Sequence, residues 1–170
     1  MLVGLMADSH DRVPAIRSLL QRITELGAGM VLHAGDYCSP FSLQPFLELS
    51  IPFVGVHGRN DGDREGLKAF ASKGVGIELF ESPHSLEVGG RRILLVHDLG
   101  EVADRSLESH EIIVNGFTHK QEMRELPGGA IIVNPGEACG WLYAVPSAAI
   151  LDLETKQVDF ISLTESAWKV

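Results

Sequence analysis

A chain of 170 residues is long enough for one domain with a sizeable core and too short for two comfortable ones. An apolar fraction of 45% excludes a disordered polymer, and a formal net charge of −9 excludes a broad, sequence-independent grip on nucleic-acid phosphates. A small phosphorylated substrate stays compatible with that charge, because bound divalent cations reverse the local field.

Taken in order, Leu2–Ala7 reads as a buried first strand. It stops at Asp8 and has no basic lead, so it is neither a secretion signal nor a membrane span. No later stretch reaches spanning length. Pro14–Leu26 carries Ile16, Leu19, Leu20 and Ile23 at helical spacing, with Pro14 suited to a first turn. Met30–Ala34 is a second strand, Pro40–Leu49 a second helix, Phe53–His57 a third strand and Asp63–Ser72 a third helix. Such alternation predicts a parallel sheet with helices on its faces.

Strands dominate the second half. Ser85–Val88 and Arg91–Val96 flank a Gly89-Gly90 turn, after the strand Ile77–Phe80. A short helix is expected around Val102–His110, then a strand at Ile112–Asn115. Glu122–Leu126 and Ala130–Asn134 flank Pro127-Gly128-Gly129, and Ala148–Leu153 with Gln157–Leu163 form a closing antiparallel pair. The expectation is one mixed α/β domain over residues 1–170, with two packed sheets and helices outside. Cys38 and Cys139 stand far apart without a CxxC pattern and read as packing or loop residues in a reducing cytoplasm.

The metal-capable residues cluster at strand ends. Asp8 and His10 follow the first strand, Asp36 the second, Arg59-Asn60-Asp61 the third, His97-Asp98 the strand ending at Val96, and Thr118-His119 the strand ending at Asn115. In open α/β sheets, ligand sites lie beyond the carboxyl ends of strands. Each residue alone reads equally as a cap, turn or loop group. Together they predict one metal site whose oxygen and nitrogen donors suit Mn²⁺, Fe, Zn²⁺ or Ni²⁺.

The segments Ala7-Asp8-Ser9-His10, Leu32-His33-Ala34-Gly35-Asp36, Val56-His57-Gly58-Arg59-Asn60-Asp61, Leu95-Val96-His97, Gly116-Phe117-Thr118-His119 and Asn134-Pro135-Gly136 resemble the calcineurin-like metallophosphoesterases, in that family's order. Within the family, the chain is most similar to the small single-domain bacterial and archaeal phosphodiesterases. The resemblance implies a four-layer α-β-β-α sandwich of two mixed sheets with flanking helices. It also implies one or two divalent cations, Mn²⁺ first among them, a small phosphate ester as substrate and a homodimer as a compatible assembly.

Carried over residue by residue, the first cation falls to Asp8, His10, Asp36 and His119. The second would share Asp36 and use His97, an Asn after the third strand and a further His. There the pattern breaks. Arg59 stands where that Asn belongs, with Asn60 one place late; Phe117 replaces the further His, and Asp98 follows His97 in place of Gly. Three readings stay open. Asn60 or Asp98 rebuilds the second site; Arg59 supplies a fixed charge to a phosphate oxygen; or the site has decayed to a protein-interaction scaffold, for which the retromer subunit of this fold is the precedent. In the catalytic readings Asp36, Arg59 and Asn60 act on the substrate side. His33 is expected to support the Gly-Asp turn from behind, and His57 either lines the cleft or is a bonded core residue. Glu137 either completes a metal shell or limits anionic substrates. Trp141 and Tyr143 either pack in a core or interface or stack on an aromatic leaving group. A dinucleotide-binding module and a serine hydrolase are disfavoured, because neither G-x-G-x-x-G after the first strand nor G-x-S-x-G occurs.

Overall fold

The computed structural model describes residues 1–74 and 76–164. In chain order the first half runs β1 (Leu2–Met6), α1 (Val13–Glu25), β2 (Val31–His33), a 3-10 turn (Pro40–Leu43) leading into α2 (Gln44–Leu49), β3 (Phe53–Val56), α3 (Arg64–Ala71) and β4 (Ile77–Phe80). The second half runs β5 (His84–Val88), β6 (Arg91–Leu95), a 3-10 turn (Leu99–Glu101), α4 (Asp104–Glu108), β7 (Ile112–Val114), β8 (Gln121–Glu125), β9 (Ile131–Pro135), β10 (Ser147–Asp152) and β11 (Val158–Ser162).

These strands form two mixed sheets, six-stranded β11-β10-β1-β2-β3-β4 and five-stranded β5-β6-β7-β9-β8. β1 to β4 are mutually parallel, as are β6, β7 and β9, while the hairpin partners close the edges antiparallel. The central parallel strands β1, β2, β3, β7 and β9 are buried on both faces, which is why they read as continuous apolar runs rather than alternating ones. Along β1, Val3 and Leu5 face the second sheet with Ile93, Leu95, Ile112, Val114, Ile131 and Val133. Met6 faces the helices with Ile16, Leu19, Leu20, Ile23 and Phe46. A third, smaller apolar layer under α4 joins Leu94, Val96, Ile113 and Ile132 to Leu107 and Leu126. The helix–sheet–sheet–helix order is as expected, with the outer helical layer on the second sheet reduced to a five-residue helix.

Two helices depart from expectation. Pro40–Leu49 is a 3-10 turn followed by a short α-helix, because Pro45 has no amide to continue the ladder and restarts it at a first-turn position. Val102–His110 shrinks to Asp104–Glu108, preceded by the Leu99–Glu101 turn that the Asp98 carboxylate caps at Gly100 N. α3 begins where Asp63 accepts from Gly66 N at 2.9 Å, an N-cap that satisfies one of the free amides of the first turn. No helix among the described residues is long and apolar enough to cross a membrane.

Candidate metal centre at the strand ends

The carboxyl ends of β1, β2, β3, β6 and β7 open onto one cleft. Left-handed backbone concentrates there: of ten non-glycine residues with positive φ among those described, seven are Asp8, His10, Asp11, Asp36, Cys38, Phe117 and His119. Such residues turn the chain sharply at a strand end and project side chains back over the sheet, at an energetic cost that the surrounding structure must outweigh. Two glycines make room. A Cβ on Gly58 would collide with the Asp36 carboxylate and backbone amide, and one on Gly35, at φ +95°, would meet Gly58 at 2.8 Å. The Gly-Asp and Gly-Arg turns therefore interlock.

Asp36 sits at the centre. It accepts from the backbone N–H of Asn60 at 2.8 Å and from Asn60 Nδ2 at 2.7 Å. His97 Nε2 lies 3.4 Å from Asp36 Oδ1 and His10 Nε2 lies 3.5 Å from Asp36 Oδ2. Burial opposes its ionisation, but the His97 and Asn60 donors outweigh burial and hold the carboxyl well below the usual range. Asp8 behaves oppositely. Burial dominates and raises it to about 6, with His119 Nε2 3.7 Å away and Phe117 N donating at 3.4 Å.

The histidines are pinned from behind. His97 Nδ1 donates to Ala34 O at 2.8 Å, since a carbonyl can only accept, and this leaves Nε2 facing Asp36. His119 Nδ1 donates to Glu137 Oε2 at 2.8 Å, leaving Nε2 facing Asp8. Each arrangement fixes the ring and its tautomer, as the supporting partners of metal-bound histidines do. His10 Nδ1 contacts Cys38 Sγ at 3.2 Å, and its ring stacks on His119 with centroids 5.2 Å apart. Burial lowers the His10 pKa, partly offset by Asp36. Asp8 Oδ2, His10 Nε2 and His97 Nε2 are buried atoms without a hydrogen-bond partner. Donor atoms of Asp8, Asp36 and His97 lie within 4.8 Å of one another, as do those of His10, His119 and Cys139. Converging, unpartnered nitrogen and oxygen donors at that spacing fit a divalent cation; left empty, they are a costly arrangement.

The side that departs from the family pattern is equally ordered. Despite its late position, the Asn60 amide reaches Asp36. Arg59 turns outward, its side chain 52% exposed, to bond Asp98 Oδ2 at 2.5 Å and Glu101 Oε1 at 3.4 Å. Its guanidinium lies 4.5 Å from the centroid of the Phe117 ring, and Phe117 in turn meets His97 edge-on at 5.8 Å. The three departures, Arg59, Asp98 and Phe117, thus form one contact unit. Asp98 is spent on Arg59 and Gly100, so of the two residues considered for rebuilding the second site it is Asn60 that reaches the centre. A cleft of about 220 Å³ opens here, lined by His57, Arg59, Arg64, Ser82 and His97 among others.

Other residues are also resolved in role or place. Burial pushes His33 down to about 3; Gly35 N donates to its Nδ1 and its Nε2 meets Ser9 Oγ at 2.6 Å, so it braces the loops after β1 and β2 from behind. His57 is buried with neither ring nitrogen hydrogen-bonded, 3.8 Å from Asp61, and lines the cleft rather than being a bonded core residue. Asp61 ties the β2 and β3 loops by accepting from Cys38 N and Gly58 N. Glu137 accepts from His119, Leu142 N and Tyr143 N, and is neither an open ligand nor an anion filter. Its only mark in the sequence is one charged residue in an otherwise uncharged stretch from Ile131 to Cys139. Trp141 and Tyr143 are not core residues; they are 59% and 49% exposed, with Arg12 stacked 4.0 Å from the Trp141 ring. A larger cleft of about 660 Å³ lies apart, between α4 and the β8–β9 turn, where the His110 ring is fully bonded to Ser85 and Ser106.

Comparison with known proteins gives the same architecture. A phosphodiesterase of Methanocaldococcus jannaschii is 29% identical over 160 residues, covering 92% of this chain and 96% of that protein. The solved structure of an archaeal phosphodiesterase superposes with a TM-score of 0.88 at 29% identity, covering 96% of this chain and all of that one. A phosphoesterase of E. coli, YfcE, shares the fold at TM-score 0.69 and 15% identity, over 96% of this chain and all of that one. Vps29 of Entamoeba histolytica, solved with zinc, shares it at TM-score 0.64 and 20% identity, over 96% and 98% of the two chains. The model of the calcineurin-like phosphoesterase superfamily domain matches residues 1–156, and the chain belongs to that superfamily.

Proposed function

We propose that the chain is a metal-dependent hydrolase of small phosphate esters, diesters first among them, with Asp8, His10, Asp36 and His119 holding one cation and Asp36, Asn60 and His97 offering a less complete second position. The observation that carries this is the convergence of buried, unpartnered Asp8 Oδ2, His10 Nε2 and His97 Nε2 on the Asp36 carboxylate. A cation held there supplies Lewis acidity toward a phosphoryl oxygen and acidifies a bound water. Mn²⁺ is the ion the family resemblance puts first, and the nitrogen and oxygen donors named here are equally compatible with Fe, Zn²⁺ and Ni²⁺.

The chain's own groups do the rest. Asp36, kept ionised by its donors, is the shared anion of both positions. Ala34 and Glu137 hold the His97 and His119 rings with Nε2 directed inward. Arg59, held at the rim by Asp98 and by the Phe117 face, presents a planar cation that can bind a phosphate oxygen entering the cleft. A small ester fits a cleft of this size better than a polymer, in keeping with the net charge of −9.

A catalytically silent scaffold is the second reading, favoured by Phe117 in place of a ligand and by the exposed run Trp141, Leu142, Tyr143 and Val145. The test is hydrolysis of an aryl phosphodiester by metal-stripped protein, with and without added Mn²⁺, beside Asp36→Asn. Metal-dependent turnover that is absent in the variant supports the enzyme. Absence of turnover with every metal and ester tried favours the scaffold.

A further inference from the structure

We propose that Cys139 supplies a thiolate to the first cation, making that position a mixed nitrogen, oxygen and sulfur site that prefers zinc-like over manganese-like ions. This rests on the metal reading above and sharpens which ion the site takes.

Cys139 is fully buried in the loop between β9 and β10. Its backbone N–H donates to Asp8 O at 3.0 Å, which fastens it to the loop that carries the first ligand. From there its sulfur comes within 4.8 Å of donor nitrogens on both His10 and His119. Ligands held at about 2.0–2.3 Å from one ion lie at most about 4.6 Å apart across it, so these three donors come within reach of one cation once the side chains adjust. Within this group His10 Nε2 lacks a hydrogen-bond partner, and one further atom of the same cleft, Asp8 Oδ2, lacks one too. Asp8 is completely buried, and an unpaired carboxylate oxygen there points to a cation independently of the sulfur.

The sulfur's present partner is weak. Sγ lies 3.5 Å from Glu137 Oε2, an oxygen already engaged by His119 Nδ1 and Leu142 N. Rotation toward the cation gives up little. On coordination the S–H bond breaks, the sulfur keeps the electron pair as a thiolate bonded to the metal, and the proton leaves to solvent. Thiolate is a soft donor; it strengthens Zn²⁺ and Co²⁺ relative to Mn²⁺ beyond what imidazole and carboxylate alone give. Cys38 differs in kind, because its sulfur sits behind His10, against Nδ1 at 3.2 Å, and supports the ring rather than the ion.

Cobalt substitution reads the sulfur directly. Metal-stripped full-length chain is loaded with Co²⁺, occupancy is followed by the visible ligand-field bands, and the near-ultraviolet is scanned for thiolate-to-cobalt charge transfer. The wild type is expected to show that absorption at full occupancy, Cys139→Ser to lose it while still binding Co²⁺, and Cys38→Ser to keep it. The ratio of Zn²⁺ to Mn²⁺ affinity should fall by roughly tenfold or more in Cys139→Ser. Bound Co²⁺ without charge transfer in the wild type, or charge transfer that survives Cys139→Ser, overturns the thiolate and leaves the metal centre standing. Failure to bind Co²⁺ at all overturns both. Absence of charge transfer in the cobalt-loaded wild type overturns the thiolate whatever the folding of either variant, and its presence is assigned to one sulfur by the two variants together.

Discussion

The two halves of the cleft solve the same problem with different chemistry. On one side His10 faces Asp36 and His119 faces Asp8, with Asp8 Oδ2 and His10 Nε2 unpartnered and the other ring nitrogens of the two histidines held by Cys38 and Glu137. On the other, His97 and Asn60 reach Asp36, and an Arg59–Phe117 stack anchored on Asp98 stands beside His97. The first half presents metal-capable donors alone; the second sets an arginine, ion-paired to Asp98 and Glu101, beside its two donors. Substitution at a site is thus not equivalent to decay, since the residues that replace ligands touch one another in an ordered unit. The comparison is sharpened or broken by four experiments, in falling order of effect.

Gly58→Ala attacks both halves at once. Its Cβ overlaps the Asp36 carboxylate and amide, so cation binding should vanish, with a stability loss of about 1–3 kcal/mol seen as a lowered Tm. Normal metal binding in that variant would show that Asp36 is not the centre. Glu137→Gln should strike the first half alone. The amide offers one acceptor oxygen where the carboxylate used two, and metal affinity should fall about 10–100-fold by equilibrium titration.

The third concerns pH. Asp8 is raised to about 6 by burial, above its ordinary 3.8, so its ionisation in the metal-free fold costs stability. That cost is absent below about pH 4, accumulates between about 4 and 6 and is complete above about 6, whereas Asp36, held low, stabilises the fold above the ordinary range and loses this as pH falls. A cation offsets the buried Asp8 charge, so the Tm gain on adding saturating Mn²⁺ should be larger at about pH 7 than at about pH 5. A gain independent of pH contradicts this. The smallest effect belongs to the rim. Arg59→Ala and Phe117→Ala should each raise KM for a phosphodiester several-fold with kcat less affected, in line with a stack worth about 0.5–1 kcal/mol. Unchanged KM in both would leave the stack a packing feature only.

Much of this arrangement is legible in the sequence, for a physical reason. Strands buried on both faces are apolar runs, so β1, β2, β3, β6 and β7 announce themselves, and the polar residue after each marks the cleft. Asp8, His10, Asp36, His97 and His119 are found that way. The helix broken by Pro45 was harder, because the apolar period continues through a residue that interrupts only the backbone ladder. What depends on distant side chains was not legible. Glu137 meets His119 across 18 positions, and Arg59 meets Asp98 across 39; neither pairing leaves a periodic trace. Cys139 lacks a CxxC neighbour, yet the fold brings it beside His10 and His119.

The asymmetry of the two halves is tested most directly by titrating metal-stripped protein with Mn²⁺ and counting bound ions through the electron paramagnetic resonance signal of free Mn²⁺. One tight ion is expected, with a second at least about tenfold weaker, and Phe117→His should draw the two affinities together. Two ions of equal affinity in the wild type, or none, would contradict the account.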